Sequence, residues 1–408
     1  MRVVVNQLAA LGQRTGIGHY TVQLLRCLEE QAGPDRIDRF PTGWVGRVRE
    51  TCARLRPHLE PRGLGQAIGD PGPLPALARL RSAALGWLRQ LGRSVMARYF
   101  RFVCARERYD LYHETNFIPL ASDRPTVVTL HDLSVLNHPE WHPADRVAHF
   151  ERHFARGLRH CVHFMAISEF GRQEIIRSLN LPPERVTRTY MGIRPGLGPL
   201  PEDEVAPVLH RLGLPPRYLL CLGTIEPRKN VLLLLRAYCA LPQRLRDRWP
   251  LLLVGGWGWN TAPIARYLHG EARHRGVIHL GYVAEHQVPA IYNGARALVY
   301  PSLYEGFGLP PLEMMACGGA VVASTAGALV ETAGQRAHLV SPEDEDGWRA
   351  ALARVVEDDD WWRELRRGVR EVARPYTWER CAAATLRVYR SLAGGNDARP
   401  EPGVPRAA

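Results

Sequence analysis

Short, mostly apolar runs punctuate this chain, many followed by a polar or glycine-rich loop and then by a stretch of helical spacing. They fall at residues 3–5, 111–113, 126–130 and 164–167 in the first half, and at 218–222, 251–254, 277–280, 297–300 and 320–323 in the second. Runs this short and mostly apolar predict strands covered on both faces, as in parallel sheets. Helical segments are expected near 20–31 and 231–240. Repeated strand–helix units imply an α/β fold with right-handed crossovers, and two such halves would hold ligand at the carboxyl ends of their strands.

The remaining segments are less regular. Residues 33–75 are rich in Pro, Gly and Arg without clear periodicity and read as a long irregular insertion. Residues 76–108 place Leu77, Leu80, Ala84, Leu88, Leu91 and Val95 at helical spacing, with Arg79, Arg81, Arg89, Arg93, Arg98 and Arg101 interleaved. Such a basic amphipathic stretch, which also carries Trp87, Tyr99 and Phe100, would suit either a core helix with a solvated face or an anionic membrane surface. Residues 195–207, rich in Pro, Gly and acid, read as a linker, and 375–378 as the start of a last helix. The expected organisation is a first Rossmann-like domain at 1–197, a second at 208–374, a terminal helix at 375–393 and a disordered tail at 394–408.

Composition changes this picture little. A chain of 408 residues suits two domains, and 46% hydrophobic with 23% charged residues is ordinary for a globular protein. The eight cysteines are scattered, with no C-x-x-C pair and no His at metal spacing, so reduced thiols in a cytoplasmic setting are expected. The first apolar run is too short for a signal peptide, and no run is long enough to span a bilayer. The net charge of +12 fits nucleic acid, anionic lipid, a phosphorylated substrate or simply an arginine-rich proteome.

The chemistry concentrates at 300–313. A strand ending at Tyr300 leads through Glu305-Gly306-Phe307-Gly308-Leu309 into Pro310-Pro311-Leu312-Glu313. Gly306 and Gly308 permit a tight turn, and the two prolines suit a helix's first turn. A strand, a glycine turn and a helix N-terminus make an anion site. Carboxylates beside such a site repel phosphate, so Glu305 and Glu313 should accept from hydroxyls. A diphosphate between two hydroxyl-bearing rings, a nucleotide sugar, meets both demands. After the strand at 218–222, Gly223-Thr224-Ile225-Glu226-Pro227-Arg228-Lys229-Asn230 adds two cations where strand–helix loops bind ligand, with Asn230 as a candidate N-cap. Arg228 and Lys229 there can hold a diphosphate and stabilise its departure. Gly16-Ile17-Gly18 lacks the third glycine of a dinucleotide fingerprint, which disfavours NAD but allows close approach to a diphosphate or acceptor.

The 305–313 block resembles the E-x7-E signature of retaining glycosyltransferases of family 4, which have the GT-B fold. The 223–230 segment is similar to that family's diphosphate loop, His131-Asp132 to its first-domain catalytic loop, Gly16-Ile17-Gly18 to its first glycine loop, and Ser168-Glu169-Phe170 to the element after its interdomain strand. These matches span about residues 1–390. The resemblance implies two Rossmann-like domains facing across a cleft, with the terminal helix crossing back to the first. It implies that Glu313 accepts from the nucleotide ribose, that Glu305 contacts the transferred sugar, and that amides of Gly306, Phe307, Gly308 and Leu309 contact sugar and phosphate. It places His131 near the donor sugar, not as a nucleophile, while Asp132 orients the loop. The Tyr282 and Val283 backbone would meet the nucleobase, with Gly255-Gly256-Trp257 nearby.

The reading is therefore a metal-independent, cofactor-free retaining hexosyltransferase. Mannosyl transfer from GDP-mannose is the first expectation, because the 223–230 sequence with His131-Asp132-Leu133 looks most like bacterial mannosyltransferases of cell-surface polysaccharide assembly. A rhamnosyl or glucosyl donor, a nucleotide-sugar epimerase, and a basic membrane- or nucleic-acid-binding protein with a decayed site are the rivals. Intact Glu305, Glu313, Arg228 and Lys229 speak against decay, so no nucleic-acid partner is expected. The acceptor would be a saccharide or a lipid-linked saccharide, met at the inner face of the membrane. Linkage and oligomeric state are not legible.

Overall fold

A computed structural model describes residues 1–11, 16–42, 92 and 94–394. The expected helix over 76–91, with Arg93, lies outside the described residues, as do 43–75 and the tail. Among the described residues, twelve strands form two six-stranded sheets. The first orders β2 (Arg36–Phe40), β1 (Arg2–Asn6), β3 (Leu111–Glu114), β4 (Thr126–Leu130), β5 (Cys161–Ala166) and β6 (Val186–Arg188). The second orders β12 (His338–Val340), β11 (Ala320–Ser324), β10 (Ala295–Tyr300), β7 (Tyr218–Leu222), β8 (Leu251–Val254) and β9 (Val277–Gly281). Every pairing is parallel. The central strands β3, β4, β8 and β11 are buried at every residue, as helices on both faces require. This is the GT-B arrangement.

Three strands escape the hydrophobic pattern. β2 lies within the segment read as irregular; its Arg36, Asp38 and Arg39 suit a sheet edge, and only Phe40 is fully buried. β6 and β12 have three residues each, too few for any periodicity. The linker reading at 195–207 also needs correction, because Glu202–Arg211 is a helix despite the internal Pro207. Its three acids in the first turn and His210 and Arg211 in the last match the helix dipole.

The last helix, Trp378–Gly394, packs on the Gly16–Gln31 helix. The Trp378 and Tyr20 rings meet at 5.8 Å, Gln31 Nε2 donates to the Glu379 carbonyl at 3.1 Å, and Arg390 pairs with Asp35 at 2.9 Å. A single apolar cluster joins these helices to β7, β8 and β10, so the two sheets share a core. Residues 94–107 are helical. Phe100 is fully buried, 4.6 Å from Phe40 and 4.5 Å from Tyr112, so it is not available to a membrane. Val95, on the apolar stripe, is 58% exposed, and Phe102 is 62% exposed. The seven described cysteines are free and buried. Among the described residues no helix is long and apolar enough to cross a membrane.

Candidate active site

The site forms where the carboxyl ends of the two sheets face one another. β10 ends at Tyr300, and residues 301–308 turn into the helix Leu309–Ala316, with Pro310 and Pro311 in its first turn. Gly308 takes φ of 90°, left-handed backbone that glycine adopts freely. Among the described residues none accepts a hydrogen bond from the backbone N–H of Gly306, Phe307 or Gly308. Unpaired N–H groups ahead of a helix N-terminus are suited to an anion.

Behind this turn sits a buried ion cluster. Glu305 Oε1 accepts from Lys229 Nζ at 2.5 Å and Ser302 Oγ at 2.7 Å, and Oε2 from Arg228 Nη1 at 3.1 Å. Arg228 also donates to Glu226 Oε1 at 2.8 Å and to the Tyr304 carbonyl at 2.8 Å, and Lys229 to the Tyr300 hydroxyl at 2.6 Å. Burial alone would raise the Glu305 carboxyl, but Lys229 and then Arg228 outweigh it and hold its pKa at about 2. Two cations and two carboxylates thus neutralise one another. The loop carrying the cations is braced by its neighbour: Gly223 N–H donates to Val254 at 2.9 Å, and a Cβ on Gly255 would lie 2.0 Å from the Gly223 carbonyl. Thr224 is exposed at the loop's tip.

Asn230 holds the N-cap position of the Val231–Cys239 helix at φ 54°, but its side chain does not cap it. Its Nδ2 donates instead to the carbonyls of Pro301 and Pro342, at 3.2 and 2.7 Å, and so ties the cation loop to the 301–308 turn.

A carboxyl whose folded pKa lies below its unfolded value stabilises the fold above the unfolded value, and that contribution is lost as pH falls through the folded one. Wild type should therefore lose thermal stability relative to Glu305→Gln between about pH 4.5 and about pH 2, starting from its ordinary value of 4.5. Parallel melting curves of the two proteins across this range would reveal the cluster as unimportant to the fold.

His131 follows β4 in the opposite sheet. It is buried, its Nε2 donates to the Thr115 carbonyl at 2.9 Å, and the Tyr20 ring meets it edge-on at 4.8 Å. Burial pushes its pKa down, so it is a neutral imidazole with Nδ1 as the acceptor. Asp132 Oδ1 turns back to accept from Ser134 N–H at 2.9 Å and Ser134 Oγ at 2.7 Å. The two loops touch: a Cβ on Gly306 would stand 2.1 Å from the His131 carbonyl oxygen. On one flank Trp259 Nε1 donates to the Trp141 carbonyl at 2.8 Å across the cleft.

Glu313 is buried on the helix after the turn. Its Oε2 accepts from the Tyr292 hydroxyl at 2.8 Å, and Arg194 Nε lies 3.5 Å from Oε1. Arg194 lies just before the segment read as the linker and was not anticipated; an isolated arginine between Ile193 and Pro195 carries no signal of a cleft. Arg194 also lies 3.9 Å from Glu285, which His19 approaches at 3.7 Å. Gly16, Ile17 and Gly18 are not a loop: they form the first turn of the Gly16–Gln31 helix, whose His19 approaches Glu285. Tyr282 is 65% exposed after β9, Val283 is half-buried and Gly281 takes φ of 72°.

Replacing Glu313 with alanine should weaken nucleotide binding ten- to a hundredfold, on the basis of about 1.5–3 kcal/mol for a charge-assisted hydrogen bond. Calorimetry with the free nucleotide checks this; unchanged affinity removes Glu313 from the ribose.

Fold and site together define a glycosyltransferase. Residues 210–375 match the family described as glycosyl transferases group 1, and residues 48–197 match Glycosyltransferase Family 4. The chain is 38% identical over 286 residues to the O-antigen chain mannosyltransferase B of Escherichia coli, covering 69% of this chain and 74% of that one. It is 28% identical over 400 residues to the serotype-specific mannosyltransferase WbdA of Escherichia coli, covering 92% of this chain and 46% of that one. The solved sucrose-phosphate synthase of Thermosynechococcus elongatus superposes with a TM-score of 0.68 at 20% identity, over 97% of this chain and 100% of that one. The chain belongs to glycosyltransferase family 4.

Proposed function

We propose that this enzyme transfers a mannosyl group from GDP-mannose, with retention and without a metal, to a saccharide or lipid-linked saccharide during cell-surface polysaccharide assembly. The observation that carries the reading is the Glu305–Arg228–Lys229 cluster beside the unpaired amides of Gly306 to Gly308, directly opposite His131. A diphosphate seated on those amides would draw Lys229 and Arg228 toward its oxygens. That exchange would free Glu305 to accept from sugar hydroxyls, and it puts positive charge where the leaving group develops negative charge, the role a metal plays elsewhere. The donor phosphate is then the base for the acceptor hydroxyl on the same face of the sugar. His131, neutral and cleft-facing, would accept from a hydroxyl of the donor sugar.

The mannosyl donor is supported by the names of the two relatives. Guanine is supported by Glu285, a half-exposed carboxylate close after β9 that can accept from both N–H positions of that base's pairing edge. Thermal-shift measurements against GDP, UDP, ADP and dTDP, followed by transfer assays with GDP-mannose, test the reading. A ligand at a hundred times its Kd stabilises by about 2.7 kcal/mol. A shift with UDP and none with GDP would overturn the GDP assignment.

The exposed face of the 94–107 helix carries Val95 and Phe102 among Arg98, Arg101 and Arg106, and supports peripheral contact with an anionic membrane at its inner face. Each arginine near such a surface adds about 1 kcal/mol of attraction. The protein should co-sediment with anionic vesicles, release as salt rises, and lose this binding in Arg98→Gln/Arg101→Gln while keeping nucleotide affinity. Indifference of the wild type to such vesicles at low salt would make the acceptor soluble.

A further inference from the structure

The helix Glu169–Ser178 follows a strand of the first sheet, yet a side chain from the second half closes its N-terminus. Glu331, on the short Leu329–Thr332 turn, accepts from the Glu169 N–H at 2.8 Å, the Phe170 N–H at 2.9 Å and the Tyr190 hydroxyl at 2.6 Å. Just before the helix, Ser168 Oγ donates to the Gly306 carbonyl at 2.7 Å and accepts from Gly171 N–H at 2.9 Å. Further along it, Glu174 accepts from the Tyr304 hydroxyl. Tyr304 and Gly306 both belong to the donor turn.

The segment bearing Glu331 also supports that turn from behind. Ala328 N–H donates to the Glu305 carbonyl at 3.0 Å, and Thr332 Oγ1 to the Phe307 carbonyl at 2.9 Å. A Cβ on Gly327 would stand 2.4 Å from the Glu305 carbonyl oxygen. One short segment therefore holds the backbone of Glu305 and Phe307 on one side and grips the opposite half on the other. Opening the cleft would strip Glu331 of all three donors at once and would release the donor turn from Ser168.

We propose that Glu331 is a positioning residue for the transfer reaction: it docks the 169–178 helix onto the donor turn, so that closing the cleft and setting Gly306 against His131 are one event. The inference rests on the transferase reading above. Glu331 touches neither Arg228, Lys229 nor Glu313, so its effect should fall on turnover and water exclusion, not on nucleotide binding.

The test compares wild type with Glu331→Gln, Glu331→Ala and Tyr190→Phe. Turnover should fall about ten- to a hundredfold in the two Glu331 variants, the range for a charge-assisted hydrogen bond, with GDP affinity within about twofold. The ratio of donor hydrolysis to transfer should rise, and small-angle scattering with GDP should give a larger radius of gyration than wild type. Tyr190→Phe, which keeps the carboxylate and two of its donors, should lie between and remains informative if Glu331→Ala folds poorly. Wild-type turnover together with a wild-type radius in Glu331→Gln would overturn the proposal. So would a loss of GDP affinity in proportion to turnover, which would place Glu331 in ligand binding. If the wild type transfers from no donor, the transferase reading fails, and the scattering comparison still decides whether Glu331 holds the cleft.

Discussion

Replacing Lys229 with alanine is expected to lower turnover roughly 10²–10³-fold at saturating donor, the scale seen when one preorganised charge-stabilising donor is removed. Lys229 reaches Glu305 and the Tyr300 hydroxyl from the end of its loop and lies 4.9 Å from the centre of the Tyr300 ring, so its ammonium is held without solvent's help. Drawn from Glu305 to a bound diphosphate, that ammonium would stabilise the departing charge in a site that excludes water. Glu305 would keep Arg228 and Ser302 as donors, so the fold should survive. Arg228→Ala is the less clean variant. It removes the cation paired with buried Glu226 as well as a bond to the Tyr304 carbonyl, and breaking a buried pair costs about 3–5 kcal/mol of stability. Kinetics of Lys229→Ala alongside its melting temperature separate the two effects. Wild-type kcat in a folded Lys229→Ala would remove the lysine from leaving-group stabilisation.

The architecture was legible because parallel strands buried on both faces are largely apolar, as β7 and β8 are throughout and β4 and β10 are for most of their length. The edge strands were not, because an edge needs charge more than apolar residues, as Arg36, Asp38 and Arg39 of β2 illustrate. Glu305, Arg228 and Lys229 could be singled out from glycine spacing and strand ends. Their mutual pairing could not, since it depends on a distance between loops about 75 residues apart, 77 for Arg228 and Glu305. Arg194, Tyr292 and Glu331 were invisible for the same reason: each acts through a partner far along the chain. The 94–107 helix shows a different limit. Spacing alone could not say which face of it met Phe40 and Tyr112: Phe100 is buried there, while Val95 is exposed.

Gly306→Ala should abolish most turnover while leaving the nucleotide bound as before. The added methyl would stand 2.1 Å from the His131 carbonyl oxygen and 3.1 Å from Asp132 Cβ, both on the other side of the cleft. Neither neighbour is the free end of a flexible side chain, so the clash is relieved only by moving the two halves apart. Gly306 is not among the glycines with left-handed backbone, so alanine fits its own turn and the damage is confined to closure. A displacement of about 1 Å at a reacting centre costs on the order of 10²-fold in rate, which sets the expected loss in kcat. Gly308→Ala is the contrasting control. It forces φ of 90° on alanine and puts a Cβ 2.4 Å from Leu329 within the same half, so it should deform the turn itself and weaken nucleotide binding too. Calorimetry with GDP and steady-state kinetics on both variants decide the matter. If Gly306→Ala keeps wild-type turnover, contact between the donor turn and the His131 loop is not needed for transfer.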